Sequence, residues 1–154
     1  MKQASEWSYV AHYELYKRIK PESLPTYLRE HRSNLLDNRR PFAEYMRKKF
    51  REKRLLQQDV FLAADISENY GYKIIAEEKY TTNRDVILRV CLAAYFNLYE
   101  IQEALILYGM APLYQRLPRD LVFLVAIYNR IYDIHELNEL LRKSGQVPMI
   151  EDMW

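Results

Sequence analysis

The chain has 154 residues, of which 49% are hydrophobic and 29% are charged, with 3 Gly, 6 Pro and a single Cys. This length supports one globular domain with a buried core, and the scarcity of Gly and Pro argues against a turn-rich all-β fold. No apolar run approaches the ~18 residues of a membrane span, and the N-terminus lacks the apolar region of a secretory signal. One Cys excludes an internal disulfide, so we expect an all-α protein of the reducing cytoplasm.

The charge is unevenly distributed, although the net charge is only +2. Residues 29–54 hold ten Lys or Arg and four acidic residues, whereas residues 55–154 hold nine Lys or Arg and fourteen acidic residues. A basic segment of this kind is typical of a contact with a polyanion. The alternative is an ordinary solvated helix face.

Residues 1–40 are interpreted as an N-terminal helical extension. Tyr9, Tyr13 and Tyr16 recur at helical spacing and predict one amphipathic helix, which Pro21 would end. A second short helix is expected between residues 22 and 38, where leucines keep a helical period.

From Pro41 onward, the apolar spacing predicts a series of helices without a strand. The first covers residues 42–54 and has basic residues on its outer faces around one apolar stripe, made of Phe42, Tyr45, Met46 and Phe50. A short helix follows and places inward the side chains of Val60, Phe61 and Ala64.

Helix boundaries are marked by capping residues. Ser67 is a natural N-cap, and the spacing of a capping box occurs in the pairs Thr82 and Asp85, Asn97 and Glu100, and Asp133 and Glu136. Gly109 and Gly145 mark helix ends. The buried side of the helix after Thr82 is expected to hold Val86, Ile87, Val90, Cys91 and Ala94, and that of the next helix Leu98, Ile101, Leu105 and Tyr108.

The segment LVFLVAIY, residues 121–128, is apolar on every side. Such a helix is either wrapped by neighbouring helices or partly buried in a dimer. A homodimer is expected, because two half-sites are the usual route to affinity in helix-turn-helix proteins.

The block Gln57–Phe96 resembles the lambda-repressor-like, Xre-type helix-turn-helix domain. AADIS matches the turn of that domain, with Asp65 at the corner, where the family usually has a small residue, and Ser67 capping the recognition helix. No Gly follows the recognition helix, unlike in most of the family. The resemblance implies domains at 41–112 (helix-turn-helix) and 113–147 (a two-helix extension packed on it), then a tail at 148–154.

The extension resembles that of a subset of such regulators from Gram-positive bacteria. Its counterparts here are Leu113, Tyr114, Arg119, Asp120 and the stretch 138–141, Asn-Glu-Leu-Leu. This likeness implies a bacterial transcriptional regulator that binds double-stranded DNA.

The resemblance also implies which residues would contact DNA. The recognition helix would cover about residues 67–76, with Glu68 and Asn69 reading bases and phosphate contacts from Gln58, Tyr72 and Lys73. Ser67 and Tyr70 belong to the same expected site. The basic helix 42–54 would cross the phosphate backbone, with contacts from Lys48, Lys49, Arg51 and Arg54.

Other chemistry is not indicated. His12, His31 and His135 are far apart in the sequence and from Cys91, so no metal site is predicted, and Cys91 on an apolar helix face is expected to be a buried thiol. Neither a phosphate-binding loop nor a nucleophile motif is present, so we expect a non-enzyme without a cofactor.

The alternative to a DNA-binding regulator is a non-catalytic protein-interaction module on the same fold, such as an adaptor or an antitoxin-like partner. It is motivated by the excess of acidic residues after Leu55 and by the glutamates in and after the recognition helix.

Overall fold

The structure is a computed structural model that describes residues 16–36 and 39–149. Within these ranges the chain is helical with connecting turns and has no strand, which confirms the expected all-α class. The chain divides into two compact units, Met1–Arg39 and Arg40–Trp154. Each unit is described by itself below.

The first unit contains short helical pieces. Residues 16–18 are helical, and the rest of the first predicted helix, with Tyr9 and Tyr13, lies outside the described residues. A 3-10 helix, Pro21–Ser23, leads into α1, Leu24–Glu30, and a second 3-10 turn covers Arg32–Asn34. None of the apolar side chains of α1 is buried.

The second unit holds the core and consists of helices joined by short turns. In chain order they are α2, Pro41–Glu52; α3, Gln57–Ala63; α4, Glu68–Ile75; α5, Arg84–Ala93; α6, Leu98–Tyr108; α7, Pro118–Tyr128; and α8, Ile134–Lys143. α5 packs against α3, α6 and α8, while α2 packs against α4 and α6. α7 makes its main contacts with α6 and α8.

The predicted apolar stripes form this core. The stripe of α2 is buried, as are the predicted residues of α3 and α5. Burial, and then the neighbouring Glu100 carboxylate, raise the pKa of Cys91, which keeps it a neutral thiol. The stripe predicted for α6 was wrong at Leu98, which is 39% exposed as the first residue of the helix.

Helix starts follow the predicted caps with one exception. Ser67, Asn97 and Asp133 each accept a hydrogen bond from a backbone N–H of the helix that follows. The prediction of Thr82 as the cap of α5 was wrong. Asn83 takes that place, since its side chain accepts from the backbone N–H of Asp85 at 3.0 Å.

Every helix from α2 to α8 ends in the same way, with a left-handed residue one or two positions after its last helical residue. The residue beyond each of these donates its N–H to the carbonyl five positions earlier, which satisfies a terminal carbonyl. Glycine, which adopts a positive φ at low cost, fills only two of these positions. The left-handed residues are Arg54, Asp65, Glu77, Tyr95, Gly109, Arg130 and Gly145.

Residues 84–113 and 119–149 are two copies of one helical hairpin. Each copy starts with an Arg-Asp dipeptide, turns at a left-handed residue and caps its second helix with an Asn or Asp side chain. The amides Gln102 and Asn138 each accept from a backbone N–H eleven residues later, at 2.7 and 2.8 Å. We call these segments the first and the second repeat.

The two Arg-Asp dipeptides of the repeats pair crosswise. Arg84 forms an ion pair with Asp120, and Arg119 forms one with Asp85 at 2.9 Å. The Asp120 carboxylate also accepts from the backbone N–H of Tyr114 at 2.9 Å. This explains the motif in residues 113–120 structurally, because its charged groups join the first helices of the two repeats.

Candidate nucleic-acid interface

The turn between α3 and α4 is held from beneath by a buried arginine. Asp65 has a φ of 55° at the corner, a conformation that Asp tolerates better than most residues do. Arg89 of α5 is 2% exposed. Its Nε donates to the carbonyl of Ala64 at 2.9 Å, and its Nη2 donates to the carbonyl of Asp65 at 2.5 Å. The corner is therefore attached to the core by two charge-assisted hydrogen bonds.

Gly71 allows α4 to lie directly against α3. A Cβ atom at this position would stand 2.5–2.7 Å from three atoms of the Phe61 ring. The ring of Tyr72 also meets Phe61 edge-on, with centroids 5.1 Å apart. Gly71 therefore faces the interior, and its lack of a side chain serves the packing of the two helices.

The outer face of α4 is polar and accessible. Glu68, Asn69, Tyr72 and Lys73 are exposed, and the Ser67 hydroxyl accepts from the backbone N–H of Tyr70 at 3.3 Å. Desolvation and the hydrogen-bonded Glu68 carboxylate one turn earlier raise the pKa of Tyr72. These side chains share one solvent-facing side of α4, as the sequence predicts for a reading helix.

Two other predicted contact residues differ in their surroundings. Gln58 is exposed in the first turn of α3. Tyr70, in contrast, is 4% exposed and belongs to the core, with the Lys79 ammonium 5.1 Å from its ring centroid. The side chain of Tyr70 therefore packs inside the fold and does not line the outer face of α4.

Lys49 and Lys53 of the basic helix face α6 and are ion-paired there. Their Nζ atoms lie 3.3 and 3.0 Å from the carboxylate of Glu100. Burial raises the pKa of Glu100, but the Asn97 N–H and the two lysines lower it by more, so that it lies below its ordinary value. The charge of Lys49, which sequence reasoning assigned to phosphate contact, is thus used largely inside the protein.

The opposite side of α2 keeps its cations in solvent. Arg47, Lys48, Arg51 and Arg54 are exposed. At 100° per residue, Arg47 and Arg51 lie roughly 160° around the helix from Lys49. Arg47 also donates to the carbonyl of Ala43, one turn earlier, at 3.3 Å. The basic helix therefore has a flank that is paired with α6 and a flank that is open.

The end of α4 is tied to the start of α2, next to this open flank. The Glu77 carboxylate accepts from the backbone N–H of Ala43 at 3.1 Å, and the Arg40 guanidinium donates to the carbonyl of Ala76 at 3.4 Å. The Glu77 side chain thus caps the first turn of α2. Glu77 is also the left-handed residue that follows α4, with a φ of 56°.

Sequence reasoning missed three residues of this region. Arg40, Glu77 and Arg89 act through partners between 24 and 36 positions away along the chain. The only sequence signal was weak: a charged Arg89 on an otherwise apolar side of α5 needs a partner when it is buried.

No protein-family model, curated protein or solved structure matches this chain. Within residues 16–36 and 39–149, no group of three or more His, Cys, Asp or Glu side chains is placed to hold a metal ion. In the same ranges, no helix combines the length and the apolar character that crossing a bilayer requires.

Proposed function

We propose that this protein is a sequence-specific DNA-binding regulator of transcription, with α3 and α4 as a helix-turn-helix of the lambda-repressor-like type. The strongest support is the corner between these helices. A buried Arg89 holds its carbonyls, while the polar face of α4 is left free to enter a groove. A helix presented in this way fits the major groove of B-DNA.

In this proposal some residues of α4 read bases and others contact phosphates. Asn69 reads adenine through its amide, and Glu68 accepts from the amino group of cytosine. Lys73 and Tyr72 contact phosphate and set the register. Gln58, at the start of α3, contacts the backbone beside them. Their exposure is compatible with these roles.

Phosphate attraction comes from the open flank of α2, since the paired flank is neutralised by Glu100. Arg47 and Arg51 are the main candidates, with Lys48 and Arg54 beside them. Each phosphate neutralised by such a cation releases counterions, so binding weakens steeply with salt.

A comparison of two double variants of the same helix tests this assignment. Arg47→Ala with Arg51→Ala should lower the slope of log K against log salt by about 2, at roughly 0.9 per lost phosphate contact. Lys49→Gln with Lys53→Gln removes the same charge from the paired flank and should leave the slope nearly unchanged. Equal slopes for both variants would mean that only net charge matters.

The base readers are tested with a site selected from random duplexes by the wild-type protein. Asn69→Ala should weaken binding to the selected site by about 1–3 kcal/mol and leave binding to random DNA unchanged. Wild-type binding no tighter than ~10⁻⁴ M at low salt, below ordinary non-specific affinity, would refute the proposal.

The second candidate function is a protein-interaction module on the same fold. It is favoured by two observations: two cations of the basic helix are paired with Glu100, and residues 55–154 hold nine Lys or Arg against fourteen acidic residues. A stoichiometric protein partner, recovered with a chain that binds no DNA, would support it.

A further inference from the structure

The outer side of α7 is an apolar strip. Leu117, Leu121, Val125 and Tyr128 are 50%, 46%, 48% and 88% exposed. Their spacing of four, four and three residues places them on one side of the helix. The opposite side packs into the core through Phe123, which is fully buried. We call these four residues the α7 strip.

The α7 strip carries no charge of its own. The charged residues of α7 are Arg119 and Asp120, and both are engaged in the crosswise ion pairs with the first repeat. The remaining exposed position in the helix is Pro118. A surface of this composition suits an apolar partner and does not suit nucleic acid, which requires cations.

The equivalent positions in the first repeat are covered. Leu121 and Val125 correspond to Val86 and Val90 of α5, each only 1% exposed. Arg89 lies one turn after Val86 and reaches the α3–α4 turn, so the preceding hairpin closes that side of α5. In the second repeat, no element within residues 40–149 covers the same side of the hairpin, where Leu121 and Val125 are exposed. Terminal repeats of helical arrays normally carry a polar outer face, which α7 lacks.

We propose that the α7 strip is the surface through which two copies of this chain associate, with the two α7 helices packed antiparallel about a two-fold axis. At about 150–250 Å² for a fully exposed large side chain, the exposures correspond to roughly 400–500 Å² of apolar surface per copy. Two copies then bury at most about 800–1,000 Å², at the lower limit of specific interfaces. The expected dimer is therefore weak, with a dissociation constant of roughly 1–100 μM.

The purpose of this dimer rests on the proposed DNA-binding function: pairing two chains presents two α4 helices to two half-sites. The self-association itself does not depend on DNA. It is therefore measured first on the free protein.

Sedimentation equilibrium of the full chain, without DNA, over about 1 μM to 1 mM is the primary test. Wild type should pass from monomer to dimer in this range. Leu121→Glu with Val125→Glu should remain monomeric, because pairing would bring four carboxylates together without partners. Ile106→Glu on α6 is the control, since Ile106 is 46% exposed, the same as Leu121, and this variant should dimerise like wild type.

A second variant tests the interface independently, in case the Leu121→Glu and Val125→Glu variant does not fold. Val125→Cys changes a half-exposed side chain conservatively, and the natural Cys91 is fully buried. Oxidation should give a disulfide-linked dimer in the Val125→Cys chain and none in Ile106→Cys. Circular dichroism confirms that each variant is folded.

Three outcomes overturn the proposal: a wild type that stays monomeric at 1 mM, a dimer that the folded Leu121→Glu and Val125→Glu variant still forms, or a monomer that sediments with phosphatidylcholine–phosphatidylglycerol vesicles through this strip. A dimer abolished by the glutamates in a chain that binds no DNA supports the interface and refutes the DNA-binding function. A wild-type chain that forms the dimer and does not bind DNA therefore contradicts only the DNA-binding function and leaves the dimer interface supported.

Discussion

Gly71→Ala tests whether the packing of α4 on α3 depends on the absence of one methyl group. Gly71 lies in the middle of α4, and its φ is not in the left-handed region, so alanine is allowed by the backbone. By helix propensity alone the change should stabilise the protein by about 1 kcal/mol. The tertiary contact predicts the opposite sign.

The expected magnitude follows from the ring of Phe61. The added Cβ atom would stand 2.5, 2.6 and 2.7 Å from Cδ1, Cγ and Cε1 of that ring, against an optimum of about 3.5 Å or more for carbon atoms. The helices must separate by roughly 1 Å, because ring atoms cannot bend away. Overpacking of this kind costs about 1–3 kcal/mol, so after the propensity gain of about 1 kcal/mol we expect a net loss of up to about 2 kcal/mol.

The assay is a double-mutant cycle in urea with Phe61→Ala. Phe61→Ala removes all three ring atoms that meet the new methyl, so Gly71→Ala in that background should be neutral or stabilising. The coupling energy should reach about 1 kcal/mol, in the range for residues in contact. If Gly71→Ala stabilises the otherwise wild-type chain, the close approach of α3 and α4 is refuted.

Four further variants have expected outcomes. Arg130→Gly should raise the free energy of unfolding by about 0.5–1 kcal/mol, since glycine adopts the φ of 59° found there at lower cost. Gly109→Ala should lower the free energy of unfolding by about 1–2 kcal/mol, because φ is 87° at that position. Urea melts measure both changes. Arg89→Met should cost about 2–4 kcal/mol, because two turn carbonyls lose a charged donor, and an unchanged midpoint would contradict this. The pKa of Glu100 is lowered in the folded state, so its carboxylate stabilises the fold at pH values above its ordinary pKa of 4.5. This stabilisation is lost as the pH falls through the folded pKa. Glu100→Gln should therefore make the free energy of unfolding fall less steeply below about pH 4.5.

Local features of the chain were predictable because their partners lie within one or two turns. The stripe of α2 follows from the helical period, and the caps Ser67, Asn97 and Asp133 bond to N–H groups three residues later. The left-handed φ of Asp65 agrees with the tolerance of Asp for that conformation. The missed cap at Asn83 shows the limit: Thr82 and Asn83 are both good caps, and the path of the chain decides between them.

The candidate site was less predictable, since the exposure and the charge pairing of its side chains depend on which side of a helix packs against which neighbouring helix. Lys48 and Lys49 look alike in the sequence, yet only Lys49 meets Glu100, 51 positions away. Tyr70 and Tyr72 flank Gly71 and differ in the same way: one is in the core and the other is on the outer face. A helix rotates its side chains by 100° per residue, so adjacent residues face different surroundings.

The internal repetition of residues 84–113 and 119–149 was only partly predictable from the sequence. The two Arg-Asp dipeptides and the two glycines after α6 and α8 are visible in the sequence, but one inserted residue, Tyr132, breaks the register. Matching hydrogen bonds make the relationship plain. The crosswise ion pairs could not be read from either copy alone, because each joins one repeat to the other.

For this protein, the amino-acid sequence by itself determined the helical class, the starts of most helices, the two ends marked by Gly109 and Gly145, and most of the apolar sides that form the core, since period and capping act over a few residues. Only the tertiary structure decided which cations remain in solvent, which tyrosine reaches the surface, and which side of α7 is left uncovered. Those outcomes depend on distances between side chains far apart in the chain. Burial and charge pairing, which set what a surface can bind, exist only after the helices have packed.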